Sequence, residues 1–292
     1  MAKAAYLTVL PLIVVLALVE FYPILFSFYL SITSEVGGFA GGASYAQLLS
    51  DPAFFSAVGV SLLYSIGSTL VAFAIGMLLT FLLTQKFRGR EVVLAISLAP
   101  VATAPIVAGI LWSPSAVWDD INSFLHFVLR LPYIDLTSSL AFFPVMVLSD
   151  AWEWTPIIVL VSLSIISSTP KEVFEAAALS GASGWRLFRQ INIPAIVSSP
   201  VIQFVVILRF TDAIRSFEIP YAWSNWVGFP QSVGSPVDSL SLYLYKLMFV
   251  PAFNFPVQYI SALAISLLGV TLVTASVLLK LLEKASGGQR SE

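Results

Sequence analysis

Apolar residues gather in six runs, at about 6–31, 54–83, 92–111, 140–166, 195–217 and 260–282, separated by short polar or mixed segments. A helix rises 1.5 Å per residue, so about 20 apolar residues cross the roughly 30 Å hydrocarbon layer of a bilayer. The runs are near or above that length. The pattern predicts an all-α polytopic membrane protein with six spans in a single transmembrane domain, 1–292. Tyr6 to Ser31 is too long for the apolar part of a secretory signal and has no obvious small-x-small cleavage site, so it reads as a retained first span. In the second run, Gly59, Ser61, Ser65, Gly67, Ser68, Ala72, Ala74 and Gly76 are small enough to let a neighbouring helix approach closely. Pro100 and Pro105 bend the third.

The segments between runs carry their own patterns. Ile121, Phe124, Leu125, Val128 and Leu129 fall at i, i+3, i+4, i+7 and i+8, with Asp119, Asn122, His126 and Arg130 off that stripe. This predicts a short interfacial helix. Residues 218–259 read as a long aromatic loop in which Tyr221, Trp223, Trp226, Phe229, Pro230 and Pro236 form either a rigid projection or an interfacial belt. Residues 283–292 are a polar tail.

Composition strengthens the membrane reading. Hydrophobic residues are 58% and charged residues 10%, too few charges to coat a water-soluble surface. A net charge of -2 supplies no basic field for nucleic acid. The absence of Cys excludes disulfides, thiolate metal sites and a Cys nucleophile. Basic residues set the orientation: with the N-terminus inside, Lys3, Lys86, Arg88, Arg90, Lys171, Arg186, Arg189, Lys280, Lys284 and Arg290 are all cytoplasmic. Both termini and the loop 171–194 are then expected on the cytoplasmic side.

That loop is the most structured polar stretch. Glu175-Ala176-Ala177-Ala178-Leu179-Ser180-Gly181 is an Ala-rich helical turn opened by a carboxylate and followed by Gly. An amphipathic stretch then leads to Ile191-Asn192-Ile193-Pro194. Two short helices with a bend at Gly181 are expected. The pattern resembles the EAA loop of ABC importer permeases: Glu-Ala-Ala, three residues, Gly, nine residues, Ile, one residue, Leu-Pro. Glu175, Ala176, Ala177, Gly181, Ile191 and Pro194 match it, with Ile193 standing for Leu and Ser180 where many sugar permeases have Asp. Tyr22-Pro23, Tyr45-Ala46-Gln47-Leu48-Leu49 with Asp51, Trp152 with Pro156, and Asp212 to Glu218 with Tyr221 are similar to other parts of the carbohydrate-type branch, of the maltose-F-like or glycerol-phosphate-A-like kind. The resemblance implies a type I importer permease fold and half of a heterodimeric pathway. It also implies a second permease subunit, two separate ATPase subunits carrying ATP and Mg, and an extracellular solute-binding protein. The Glu-Ala-Ala loop would couple to an ATPase, with Glu175 meeting an arginine there. No Gly-x-x-x-x-Gly-Lys-Ser/Thr occurs, so an ATP site and enzyme chemistry are not expected in this chain.

Polar groups inside spans are costly and mark pathways or partner contacts. Asp150, Trp152, Glu153 and Trp154 in the fourth run read either as a sugar-facing cavity wall, or as tryptophans packing between helices with acids paired to a sister subunit. Gln203 is a further pathway candidate. Arg209, Asp212, Arg215 and Glu218 recur at i+3 with alternating sign, as a structural charge ladder or an external gate. His126 has no companion at metal-ligand spacing, so no metal is assigned. Two rival readings stay open: an ABC permease for another small solute, and an ion-coupled secondary transporter using Glu20 or Asp150.

Overall fold

The computed structural model describes residues 10–114, 116–136, 139–228 and 232–287. Among them there is no β-sheet, only an isolated bridge between Thr33 and Phe39. Four helices are long and apolar enough to cross a membrane: α1 (Leu10–Ser31), α3 (Pro52–Thr84), α7 (Ser139–Ser168) and α13 (Val257–Gly287). Two bent helix pairs pass the same test together and bring the number to six if each pair is one span. The helix α4 (Arg90–Leu98), extended by a 3₁₀ turn to Ala102, meets α5 (Pro105–Leu111) at 110°, and α9 (Gly184–Val197) meets α10 (Pro200–Ile214) at 70°. The expected third span is therefore folded back on itself. Thr103 and Ala104 are extended, and Pro105 occupies the first turn of α5, where its missing N–H costs nothing.

The centre of the bundle is the contact of α3 with α7. The small residues Ser61, Ser65, Ser68, Ala72 and Gly76 are all buried, and their spacing of three and four places them on one helix face. Ala74 lies off that face and is exposed. At Gly76 a Cβ would stand 2.6 Å from Ile158 Cγ2, so only Gly fits there. Burial elsewhere is uneven, as expected of a chain whose outer face meets lipid. The best window of α1 has 0% of its residues buried.

Three expectations change. The 218–259 stretch is not a loop: it holds α11 (Glu218–Trp226) and α12 (Leu240–Phe249). Trp223 is fully buried and stacked on Phe142 rather than projecting, while Phe229 and Pro230 lie outside the described residues. The interfacial helix exists as α6 (Val117–Leu129), but Asn122 points inward and exchanges hydrogen bonds with the Ile134 backbone at 2.8 and 2.9 Å. Phe124, Val128 and Leu129 face outward. A paired amide outcompetes the apolar stripe for the protein side because its hydrogen bonds are complete there.

At the end of the bundle where α3 and α13 begin, polar contacts tie the elements together. Asp51 caps α3 by accepting from Ala53 N at 2.9 Å, while its other oxygen accepts from the phenols of Tyr243 and Tyr259 at 2.5 Å each. Ser61 Oγ accepts from the Leu240 N–H at 2.8 Å. Lys246 donates to Asp238 at 2.7 Å and to the Ser232 carbonyl at 2.8 Å, and Asp238 also accepts from the Ser235 N–H.

Candidate functional site

Two arrangements carry the chemistry, one midway along the bundle and one at the end where α3 and α7 finish. In the first, Asp150 of α7 and Arg209 of α10 form an ion pair, 3% and 0% exposed. Arg209 lies 5.0 Å from the centroid of the Trp154 ring, and its other terminal nitrogen stands 3.5 Å from Asp212. Asp150 and Trp154 are one turn apart on α7, and Arg209 and Asp212 one turn apart on α10, so two facing helix surfaces supply the whole cluster.

Beside it opens a cavity of about 330 Å³. Asp150, Glu153, Asp212 and Glu218 line it against one guanidinium, Arg215, with Trp154, Ser216 and Pro105 completing the wall. A polar, acid-rich recess in an otherwise apolar bundle suits a hydroxyl-bearing solute, whose O–H groups donate to carboxylates.

The structure brings Asp150, Glu153 and Trp154 together, but not Trp152 or Gln203. Two residues along a helix is a 200° turn, so Trp152 points away from Trp154 and packs on Trp112 at 6.0 Å between centroids. Gln203 donates to the Val197 carbonyl at 3.0 Å and borders an apolar groove with Leu70 and Phe73. The charge ladder is also broken. α10 ends at Ile214, Arg215 is its C-cap and Glu218 opens α11, so only Arg209 and Asp212 share a helix face. The reading of Asp150 as paired to a sister subunit gives way to Arg209 of the same chain. That pairing had a sequence signal: Arg209 is a cation inside a span, and such a charge needs a buried anion.

At the other arrangement, α8 (Lys171–Leu179) ends in a Schellman motif. Ala182 N–H bonds to the Ala177 carbonyl at 3.0 Å and Gly181 N–H to the Ala178 carbonyl at 3.0 Å. Gly181 adopts φ +75°, which a side chain would resist. Glu175, Ala176 and Gly181 are exposed, Ala177 is buried, and Leu179 at the tip is 92% exposed. The returning helix α9 is anchored by aromatics: Phe188 is buried against Phe81 of α3 at 5.2 Å between centroids, and Trp185 meets Phe81 edge-on at 5.1 Å. Ile191 is partly buried beyond this cluster and Pro194 is exposed. A π-helical turn at Phe188–Asn192 follows the anchor.

Long apolar helices, an exposed helix–Gly–helix loop between α7 and α10, and a polar recess between those two helices accord with the type I ABC importer permease fold, which comparison with solved structures shows. The permease chain of a bacterial ABC transporter involved in the import of the acidic polysaccharide alginate superposes with a TM-score of 0.78 at 20% identity, over 97% of this chain and 96% of that one. No family model matches the sequence. The curated relatives are ABC transport permeases, several of them named for sugars. The trehalose/maltose transport system permease protein MalF of Thermococcus litoralis is 28% identical, with 84% of each chain covered. The trehalose transport system permease protein SugA of Mycobacterium tuberculosis is 26% identical over 98% of this chain and 91% of that protein. The arabinooligosaccharides transport system permease protein AraP of Bacillus subtilis is 29% identical over 95% and 88%.

Proposed function

We propose that this chain is one of two permease subunits of an ATP-driven, binding-protein-dependent importer for a carbohydrate, and that it couples to a separate ATPase through residues 171–194. The observation that carries the reading is the exposed Glu175 helix closed by Gly181 and tied through Phe188 to α3. An element that projects its acid and its Leu179 knob outward while gripping a span through aromatics can both seat in a partner and pass motion to the bundle. The sugar relatives and the acid-rich recess favour a carbohydrate. In this reading the loop end and both termini are cytoplasmic, in line with the basic bias of that side. ATP and Mg belong to the partner ATPases, and an extracellular binding protein delivers solute towards the cavity at Asp150 and Glu153.

Alternating access would then act across the α7–α10 contact, where Arg209 is shared between Asp150 and Asp212. Its pairing with Arg209 leaves Asp150 committed to a structural partner and weakens the ion-coupled alternative at that residue, with Glu20 its remaining candidate. The test is assembly and uptake by the complete transporter with Glu175→Lys or Gly181→Trp. Folded membrane subunit with lost ATPase docking or transport is expected. Unchanged assembly and transport would sink the coupling assignment, and uptake that survives loss of ATPase activity but collapses with ion gradients would sink the importer reading.

A further inference from the structure

We propose that the crevice between the loop-side ends of α3 and α7 binds the phosphate headgroup of an anionic phospholipid. This cavity, of about 720 Å³, lies apart from the solute recess. Its cationic lining is Lys86 and Arg90, Ser164 and Ser167 add hydroxyls, and no acidic residue lines it. A second cavity of about 450 Å³ shares both cations, and Glu91 is among its lining residues. Arg90 donates through Nε to the Leu83 carbonyl at 2.6 Å, which fixes its stem and commits only one of its three nitrogens. The turn residue Gly89, at φ +88°, caps α4 without a side chain, so the positive end of that helix adds to the same field.

Depth selects a lipid as the source of the phosphate. Leu83 and Leu163 belong to the last apolar turns of two spans, so the cations sit where hydrocarbon gives way to headgroups. Below them Leu78, Leu82 and Leu160 are exposed, offering an apolar track for an acyl chain. The candidate coupling tip at Leu179 projects instead, as a protein-docking element should. This proposal needs only that the chain spans a bilayer, and it stands or falls separately from the coupling assignment.

The experiment is native mass spectrometry of the intact purified transporter equilibrated with mixed phosphatidylglycerol and phosphatidylcholine. Preferential retention of phosphatidylglycerol is expected, weakened about fivefold for each cation removed in Lys86→Gln and Lys86→Gln/Arg90→Gln. Lys284→Gln, at a basic site outside the crevice, should retain lipid like the unmodified protein. Lys86 is exposed, so the single variant is expected to elute as folded complex. Equal retention of the two lipids, or unchanged retention in the variants, overturns the proposal. Displacement of lipid by inorganic phosphate would assign the site to free phosphate instead. Lipid retained while an ATPase subunit dissociates would assign these cations to a protein contact.

Discussion

Two ion pairs are buried among the described residues, and they are built in opposite ways. Lys246 and Asp238 are eight residues apart, lie in the segment before α13, and are surrounded by backbone groups that complete their hydrogen bonds. Arg209 and Asp150 are 59 residues apart on different spans, meet beside a cavity that Asp150 lines, and leave Arg209 Nε without a partner. A fully satisfied local pair fastens a loop. An under-satisfied pair between two spans, with Asp212 as a second acceptor close by, is suited to let those spans change their relationship. Burial of a charge therefore does not reveal its role; the completeness of its hydrogen bonding and the distance it bridges do.

The contrast can be broken most forcefully at Asp150. Asp150→Leu should cost about 3–5 kcal/mol, because it strands a buried guanidinium, and should abolish transport. Thermal melting of the purified complex and uptake in proteoliposomes measure the two. Adding Arg209→Met should restore most of the stability without restoring uptake; restored uptake would make the pair merely structural. Lys246→Met should cost less, about 2–3 kcal/mol, since Asp238 keeps the Ser235 N–H. Its companion Lys246→Met/Asp238→Asn should approach the original stability with transport retained, and a double variant that folds but fails to transport would erase the distinction.

The smallest effect tests the same end of the molecule as Lys246. Burial raises the Asp51 carboxyl, but the phenols of Tyr243 and Tyr259 and the amide of Ala53 bring it below its ordinary value of 3.8. Its contribution is thus present above pH 3.8 and is lost as pH falls through the lower native value. Tyr259→Phe should cost about 1 kcal/mol and move acid unfolding, followed by tryptophan fluorescence, to higher pH. An unmoved acid limb would show that the triad does not hold the ends of α3 and α13 together.

What could be read from the sequence divides along the range of the forces involved. The runs that became spans, the small face of α3 and the Gly181 bend depend on neighbours within a turn or two, and the first-order pattern carries them. The helices α11 and α12 do not: nine and ten residues long, they are held by tertiary contacts. One is the approach of Gly109 to Ala222 and Ile219, where a Cβ would meet Ala222 Cβ at 2.8 Å. Arg209 was legible as an intramembrane charge, yet i+3 spacing assigned it to Asp212, when its closest anion comes from another span. Helix phase puts Trp154 one turn from Asp150 on the same face, yet the sequence still groups Trp152 with them as a pathway candidate, and its packing on Trp112 is a tertiary contact the pattern does not carry. Asp51 is marked in the sequence only through a family resemblance, which gives no hint of its two tyrosines, 192 and 208 residues away.

Gly76 also constrains how such a protein moves. The notch it leaves on α3 receives Ile158 of α7, and the positions one turn away on the same face, Ala72 and Thr80, both carry a Cβ where Gly76 has none. Axial sliding of one helix past the other would require the notch to migrate with it, so the two spans are keyed like a shaft in a slot. They should travel as one strut, leaving rotation of α10 about its 70° joint with α9 as the cheaper degree of freedom. In the proposed coupling, a pull on the loop would arrive at Arg209 as a twist rather than a stroke.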